Sequence, residues 1–154
     1  MDATALARSL LEPVPAHRTA GIQVLRAEDC AAEVALDTPH GLTNVIGSLH
    51  SSGLIALLDA AGLAAVIAAV EGPGEFDGVV PLGAAATVEF LAPARGRLVG
   101  SCALDESARH TLRGVLSGDG DRARLATVAE IRDATGAVVC RGGFDWSVRR
   151  VRRA

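Results

Sequence analysis

The feature that most constrains this chain is one long apolar run, which extends from Gly53 to Val70 and contains a single ionisable side chain, Asp59. The run is longer than an ordinary strand and rich in Ala and Leu, so it predicts a helix. Two serines precede it, and their hydroxyl groups are suited to cap the N–H groups of a first turn. We therefore expect a helix that begins between His50 and Ser52 and is buried on all sides.

A membrane span is the main alternative to a helix buried in protein, since a span needs about 20 apolar residues. Asp59 would then lie near the bilayer centre, where inserting a carboxylate costs about 2.5–3.5 kcal/mol. The flanks of the run carry neither clustered basic residues nor an aromatic belt. The sequence therefore favours a helix inside one soluble domain.

Composition narrows the class of protein further. The chain has 154 residues, a net charge of −3 and 49% hydrophobic residues, which is typical of one globular domain. Its mild acidity argues against a nucleic-acid partner. Three widely spaced cysteines and scattered histidines predict neither a disulfide framework nor a metal site. The first 18 residues lack the charged and long apolar regions of a secretion signal, so we expect a cytoplasmic protein, and we expect no cofactor.

The remaining elements follow from apolar spacing and from turn residues. A short helix is predicted over residues 3–11 and ends before Pro13 and Pro15. Residues 105–120 fit either an extended hairpin or a short helix followed by a Gly-rich turn. Strands are predicted over 20–28 and 30–37, over 84–91 before Pro93, over 97–104, and in a closing hairpin of 122–132 and 137–148.

These elements predict an α+β fold, in which an antiparallel sheet of five to six strands wraps around one long apolar central helix. The domain organisation follows from the same order of elements. Residues 1–19 form a covering helix and lead-in, 20–148 form the single domain, and 149–154 form a basic tail. That tail is either a solvated strand end or a contact for coenzyme A phosphates, which Arg binds through paired hydrogen bonds.

The spacing Asn44-x5-His50-x8-Asp59, together with Gly47 and Gly53, resembles the hotdog-fold acyl-CoA thioesterases. The likeness is to the branch that contains the phenylacetate-pathway enzymes and the thioesterase superfamily member 2 type. Those proteins carry a loop of the form N-x-x-G-x-x-H-G-G before a helix with the pattern A-L-x-D. The segment 87–95, TVEFLAPAR, also resembles the third strand of the family and its terminal proline.

The resemblance implies a homodimer with each site at the subunit interface. A homotetramer built from two such dimers is common in this fold, and the sequence leaves the choice between dimer and tetramer open. Asp59 of one subunit would be the general base or the nucleophile, and the backbone N–H of Ser51 in the other would polarise the thioester carbonyl. Asn44 would orient water or the carbonyl, and His50 would brace the loop. The residues expected beside the substrate are Gly47, Ser52, Gly83, Ala84 and Thr87.

This chemistry suits a carboxylate in an apolar helix, because lost hydration makes it a stronger base or nucleophile. The N-terminal amides of a helix supply donors for the oxyanion. Each assignment has a structural alternative: Asp59 bonded across a dimer seam, Asn44 as a turn residue, and His50 as a cap. For His50 the sequence favours the structural role.

Two departures from the family pattern keep other functions open. Ser51 and Ser52 stand where the family has two glycines, and Gly83 stands where some relatives have a Ser or Thr. A hotdog protein that binds acyl-CoA without hydrolysis is therefore the second interpretation. A hotdog dehydratase ranks third, because neither His40 nor His50 has the expected helical Glu partner. The acyl group, and the choice between coenzyme A and an acyl carrier protein, stay open.

Overall fold

The computed structural model describes residues 1–151 and arranges them as four α-helices, one short 3-10 helix and six strands. The 3-10 helix spans His40–Leu42. The α-helices are α1 (Ala3–Leu11), α2 (Pro15–Ala20), α3 (Ser51–Ile67) and α4 (Glu106–Ser117). The strands are β1 (Gln23–Glu28), β2 (Ala31–Asp37), β3 (Val79–Phe90), β4 (Arg97–Ala103), β5 (Arg122–Arg132) and β6 (Val138–Arg150).

The six strands form one antiparallel sheet in the order β1-β2-β4-β5-β6-β3. Helix α3 packs against all of them and lies at the centre of the hydrophobic core. The predicted α+β architecture, with a sheet around one long apolar helix, is therefore confirmed. Within residues 1–151, no helix is long and apolar enough to span a bilayer.

Small residues allow α3 to lie close to the sheet. A Cβ atom at Gly62 would lie 2.7 Å from Oγ1 of Thr127 on β5. On the sheet side, a Cβ atom at Gly142 of β6 would lie 2.6 Å from the Leu58 side chain. Because neither position has room for a methyl group, glycine at both sites sets the distance between helix and sheet.

Helix α1 covers the outer edge of β1 with side chains spaced four residues apart. The Thr4 hydroxyl donates to the Ala27 carbonyl at 3.1 Å and accepts from the Ala27 N–H at 3.0 Å. Arg8 Nε donates to the Val24 carbonyl at 2.9 Å, and the Glu12 carboxylate accepts from the Val24 N–H at 3.0 Å. These bonds occupy backbone groups that an edge strand otherwise leaves open.

The other edge of the sheet, β3, is open. It pairs with β6 alone, and most of its residues from Leu82 onward are exposed on both faces. Leu82 is 58% exposed and Phe90 is 52% exposed, which is high for large apolar side chains. The two edges of the sheet therefore differ: one is covered by the chain itself and one is available for pairing.

Several predicted boundaries change. Residues 105–120 contain a helix, α4, so the hairpin alternative is wrong; Asp105 caps its start and Gly118, at φ 84°, ends it. Helix α2, which begins at Pro15, is not among the predicted elements, because proline ends one helix but is also favoured in the first turn of the next. Strand β3 begins before the predicted residue 84 and includes Pro81, which an edge strand tolerates.

Arg150 ties β6 to the end of α4. Its Nη2 donates to the carbonyls of Val115 at 2.9 Å and Leu116 at 3.1 Å, where the helix leaves acceptors unpaired. Its guanidinium also donates to the carbonyls of Glu75 at 2.5 Å and Asp77 at 2.6 Å. The prediction of a solvated tail is therefore wrong for Arg150, because a cation at a helix C terminus is favoured.

The predicted division of the chain into 1–19, 20–148 and 149–154 cuts through two elements. Its first boundary falls within α2, and its second falls within β6. Residues 152–154 of the predicted basic tail lie outside the described residues.

Candidate active site

The loop before α3 is held in shape by the side chain of Asn44. Its Oδ1 accepts from the backbone N–H groups of Ile46 and Ser48, both at 3.1 Å. Its Nδ2 donates to the Ser48 hydroxyl at 2.7 Å. Gly47 occupies the turn with φ 75°, a conformation that favours glycine. Asn44 therefore uses both ends of its amide to close the loop.

His50 caps the N terminus of α3. Its Nδ1 accepts from the Ser52 N–H at 3.1 Å and from the Ser52 hydroxyl at 2.7 Å. Because Nδ1 accepts both bonds, the ring proton is on Nε2. The His50 carbonyl accepts from the N–H groups of Gly53 and Leu54, at 2.9 Å and 3.2 Å. Within residues 1–151, the N–H of Ser51 has no acceptor in the protein.

A cavity of about 330 Å³ opens beside this helix start. It lies between the loop, the first turn of α3 and the segment that follows β3. The lining is mostly apolar, with polar groups from the loop and from Ser51. The lining residues are Asn44, Ile46, Ser48, Leu49, Ser51, Leu54, Phe90, Leu91, Ala92, Pro93 and Ala94.

Asp59 lies eight residues after Ser51 on α3, and its carboxylate is paired with a histidine. Its Oδ2 is 2.9 Å from Nε2 of His17, which belongs to α2. The Asp59 side chain is 30% exposed, whereas that of His17 is 3% exposed. Nδ1 of His17 lies 2.9 Å from the carbonyl oxygen of Leu11, the last residue of α1. The imidazole ring therefore links α1, α2 and α3.

These contacts favour a protonated His17. Burial by itself lowers the pKa of His17, but the hydrogen bonds to Asp59 and to the Leu11 carbonyl, with the Asp59 charge, outweigh it. The pKa of His17 is therefore raised above its ordinary value of 6.5. The ion pair therefore joins a buried imidazole ring to an Asp59 side chain that is partly exposed to solvent.

The structure brings together some of the predicted site residues and separates others. Asn44 and Ser51 line the same cavity, with Gly47, His50 and Ser52 in the adjacent loop and cap. Gly83, Ala84 and Thr87 lie on the open strand β3, and Ala84 lines a different cavity. Along α3 the rise from Ser51 to Asp59 is about 12 Å, so the two positions lie about two helical turns apart in one chain.

His17, the partner of Asp59, is not among the predicted site residues. The two residues lie 42 positions apart, and no periodic pattern relates them. Phe90 and Leu91, which form an apolar wall of the cavity, are also absent from the predicted site residues. The start of α2 at Pro15 is the one local signal that could have located His17, because it places the imidazole on a helix.

Solved structures of thioesterase-superfamily proteins share this fold. A probable thioesterase of unknown function from Pseudomonas aeruginosa matches with a TM-score of 0.76 and 23% identity, over 96% of this chain and 96% of that chain. A thioesterase family protein from Silicibacter pomeroyi gives 0.75 and 16% identity over 97% and 99%. The E. coli PaaI protein from the phenylacetic acid degradation operon gives 0.66 and 16% over 93% of each.

The molecule therefore shares its fold with these structures and is a hotdog-fold protein. More specifically, the chain belongs to the family described as "Domain of unknown function (DUF4442)", whose model matches residues 3–148 and so includes α1 and α2. No curated protein sequence matches the chain.

Proposed function

We propose that this protein hydrolyses the thioester of an acyl-CoA or acyl-carrier substrate to a free acid and a thiol. The observation that carries the proposal is the mostly apolar cavity at the N terminus of α3, where the Ser51 N–H has no acceptor within residues 1–151. An apolar cavity suits an acyl chain, and an unpaired amide at a helix N terminus suits a developing oxyanion. The fold shared with thioesterase-superfamily structures supports the same reaction.

Asp59 supplies the base in this reaction. Its carboxylate takes a proton from water while the water oxygen bonds to the thioester carbonyl carbon, and the carbonyl oxygen becomes an oxyanion. The Ser51 N–H donates to that oxyanion. The C–S bond then breaks, and the departing thiolate takes up the proton from the Asp59 carboxyl group. In the other route the Asp59 carboxylate bonds to the carbonyl carbon and the C–S bond breaks, which gives a mixed anhydride and a thiolate. Water then cleaves the anhydride, which restores the Asp59 carboxylate, releases the acid and supplies the proton of the thiol.

Two copies of the chain are needed to assemble such a site. Because about 12 Å of helix separates Ser51 from Asp59 in one chain, the oxyanion donor and the base come from different subunits. The open edge at β3 is the surface for this pairing, since the other edge is already covered by α1. Leu82, Phe90 and Ile55 would be buried in the dimer, and they are 58%, 52% and 38% exposed in the single chain.

The other predicted site residues have supporting roles. Asn44 and His50 hold the loop and the helix start, so they position Ser51, and Gly47 and Ser52 complete that loop and cap. Four successive small residues of β3, Gly83, Ala84, Ala85 and Ala86, leave space beside the interface for a bulky or long acyl group. Thr87 follows them on the same strand and lies beside the substrate.

The alternative function is acyl-CoA binding without hydrolysis. One observation favours it: Asp59 is already paired with His17, so it is not the unpaired carboxylate that lost hydration would activate. The serine at position 51, in place of the family glycine, adds a Cβ next to the donor amide. Thioester cleavage distinguishes the two functions directly.

The test is thiol release from short, medium, long and aryl acyl-CoAs, and from the same acyl groups on an acyl carrier protein. Asp59→Asn and Asp59→Ala should each lower turnover by about 100-fold or more with folding and dimerisation intact. Asp119→Asn is the matched control, because this exposed carboxylate lies at the end of α4, outside the candidate site, where it accepts a hydrogen bond from the Ser117 hydroxyl. Acyl-CoA binding without thiol release would establish the alternative, and turnover of acetyl-CoA alone would refute the large acyl pocket.

A further inference from the structure

We propose that His17 is a positioning residue for Asp59: its Nε2–H holds Oδ2 of the carboxylate and leaves Oδ1 as the oxygen that meets water. The inference rests on the proposed function, because it takes Asp59 as the group that activates water. It assigns a part of the site to α2, a helix outside the loop and helix motif that carries the family resemblance.

The geometry of the imidazole ring supports this role. Both ring nitrogens are engaged at 2.9 Å, Nδ1 with the Leu11 carbonyl and Nε2 with Oδ2 of Asp59. His17 is 2% exposed, so the ring is held by packing as well as by its two bonds. The carboxylate is partly in solvent, with 30% of the Asp59 side chain exposed. One carboxylate oxygen is therefore fixed while water retains access to the group.

The two groups that the ring contacts, the Leu11 carbonyl and the Asp59 carboxylate, determine which protonation state of His17 can hold Asp59. We call this contact of His17 with Asp59 the clamp. A backbone carbonyl accepts and cannot donate, and an ionised carboxylate likewise accepts only. Both ring nitrogens must therefore carry hydrogen when Asp59 is ionised, which makes His17 an imidazolium. If Nε2 lost its proton, its lone pair would face the carboxylate oxygen, and the hydrogen bond that holds Asp59 would be lost. The clamp thus holds Asp59 only while His17 is protonated.

The neighbouring charged groups leave Asp59 as the counter-ion of His17. Between Ser51 and Ile67, α3 carries no ionisable side chain other than Asp59. Arg8 of α1 and Glu12, which follows the last residue of α1, are both bonded to the backbone of β1, at 2.9 Å and 3.0 Å. The coulombic interaction that raises the pKa of His17 accordingly comes from Asp59.

The first test compares the full-length wild type with His17→Gln and His17→Phe in the thiol-release assay. We expect His17→Gln, which retains a neutral donor, to lower kcat by about tenfold or more with KM within about twofold. His17→Phe, which has no donor, should lose more. His110→Gln is the matched control, because that exposed residue of α4 lies outside the site. An unchanged kcat in both His17 variants would overturn the inference while the hydrolase function stands.

A pH profile separates positioning from a purely structural contribution. Wild-type kcat should fall on the alkaline side as His17 loses its proton, and His17→Gln should lack that fall because its side chain does not titrate. Equal profiles for the two proteins, after correction for the folded fraction, would show that His17 serves stability alone.

A third measurement needs no enzymatic activity. In ¹⁵N-histidine-labelled protein, which has four histidines, NMR should show His17 titrating at higher pH in the wild type than in Asp59→Asn. Equal titration in both proteins would refute the ion pair. If the wild type hydrolyses no thioester, the positioning role fails with the proposed function, and the NMR result still shows whether the pair exists.

Discussion

Gly62 is the position where a single added methyl group should disturb α3 most clearly. In Gly62→Ala the new Cβ would lie 2.7 Å from Oγ1 of Thr127 and 3.2 Å from Cζ2 of Trp146. The Thr127 hydroxyl is buried and accepts from Trp146 Nε1 at 2.8 Å. Thr127 is β-branched and short, so it cannot move away from the methyl group and keep this bond.

The expected change is the balance of three terms. Replacing Gly by Ala inside a helix stabilises by about 1 kcal/mol. Overpacking costs about 1–3 kcal/mol, and an unpaired Trp146 N–H costs about 1–3 kcal/mol more. The net loss in the free energy of unfolding is then about 3 kcal/mol. For a chain of this size, that lowers the melting temperature by about 6–12 °C.

The assay is thermal and urea unfolding, followed by circular dichroism at one fixed protein concentration. Gly114→Ala is the matched control, because a Cβ at this position of α4 meets nothing within 4 Å. It should stabilise by about 0.5–1 kcal/mol, as expected for a helix interior. Thr127→Ala should also cost less in the Gly62→Ala background than in the wild type, since the clash is then relieved. A melting temperature for Gly62→Ala at or above that of the wild type would refute the close approach of helix and sheet.

Three further results are expected. Arg150→Ala should lower the free energy of unfolding by about 2–4 kcal/mol, because it leaves carbonyl groups at the end of α4 unpaired. Arg149 is exposed, so Arg149→Ala should change the free energy of unfolding by less than about 0.5 kcal/mol, and urea unfolding of both variants tests the difference. The pKa of His17 is raised in the folded state, so its contribution to the free energy of unfolding is complete below about pH 6.5 and declines as the pH rises through the folded-state pKa. The difference in the free energy of unfolding between the wild type and His17→Gln should therefore shrink at alkaline pH, as urea unfolding at several pH values can check. Burial raises the pKa of Cys102 and Cys140 to about 11, so native protein at pH 8 should resist alkylation there, as peptide mass spectrometry can check; rapid labelling would contradict their burial.

Local patterns predict the elements whose partners lie nearby in the chain. The start of α3 agrees with the expected range, because His50 takes the cap position ahead of two serines. The closing hairpin also agrees, and its turn contains Gly136 at φ 84°, where a glycine is favoured. In both cases the information lies within a few residues.

The rest depends on tertiary contacts that a local pattern does not contain. From sequence alone, Pro15 is equally compatible with the end of one helix and with the first turn of another. In the structure it begins α2, which packs against α3. His17 has no motif that points to Asp59, because its role arises from the turn between α1 and α2. Arg150 reads as part of a basic tail, yet carbonyls from α4 and from the preceding segment surround its guanidinium.

The strand order has a consequence for synthesis of the chain on the ribosome. β3 ends at Phe90, but its neighbour in the sheet, β6, begins at Val138. At about 5–20 residues per second, translation of the intervening segment takes several seconds. During that time a long, mostly uncharged strand has no native neighbour, and it is exposed to pairing with other nascent chains. Variants that slow translation between these strands should therefore aggregate more than variants that slow it earlier.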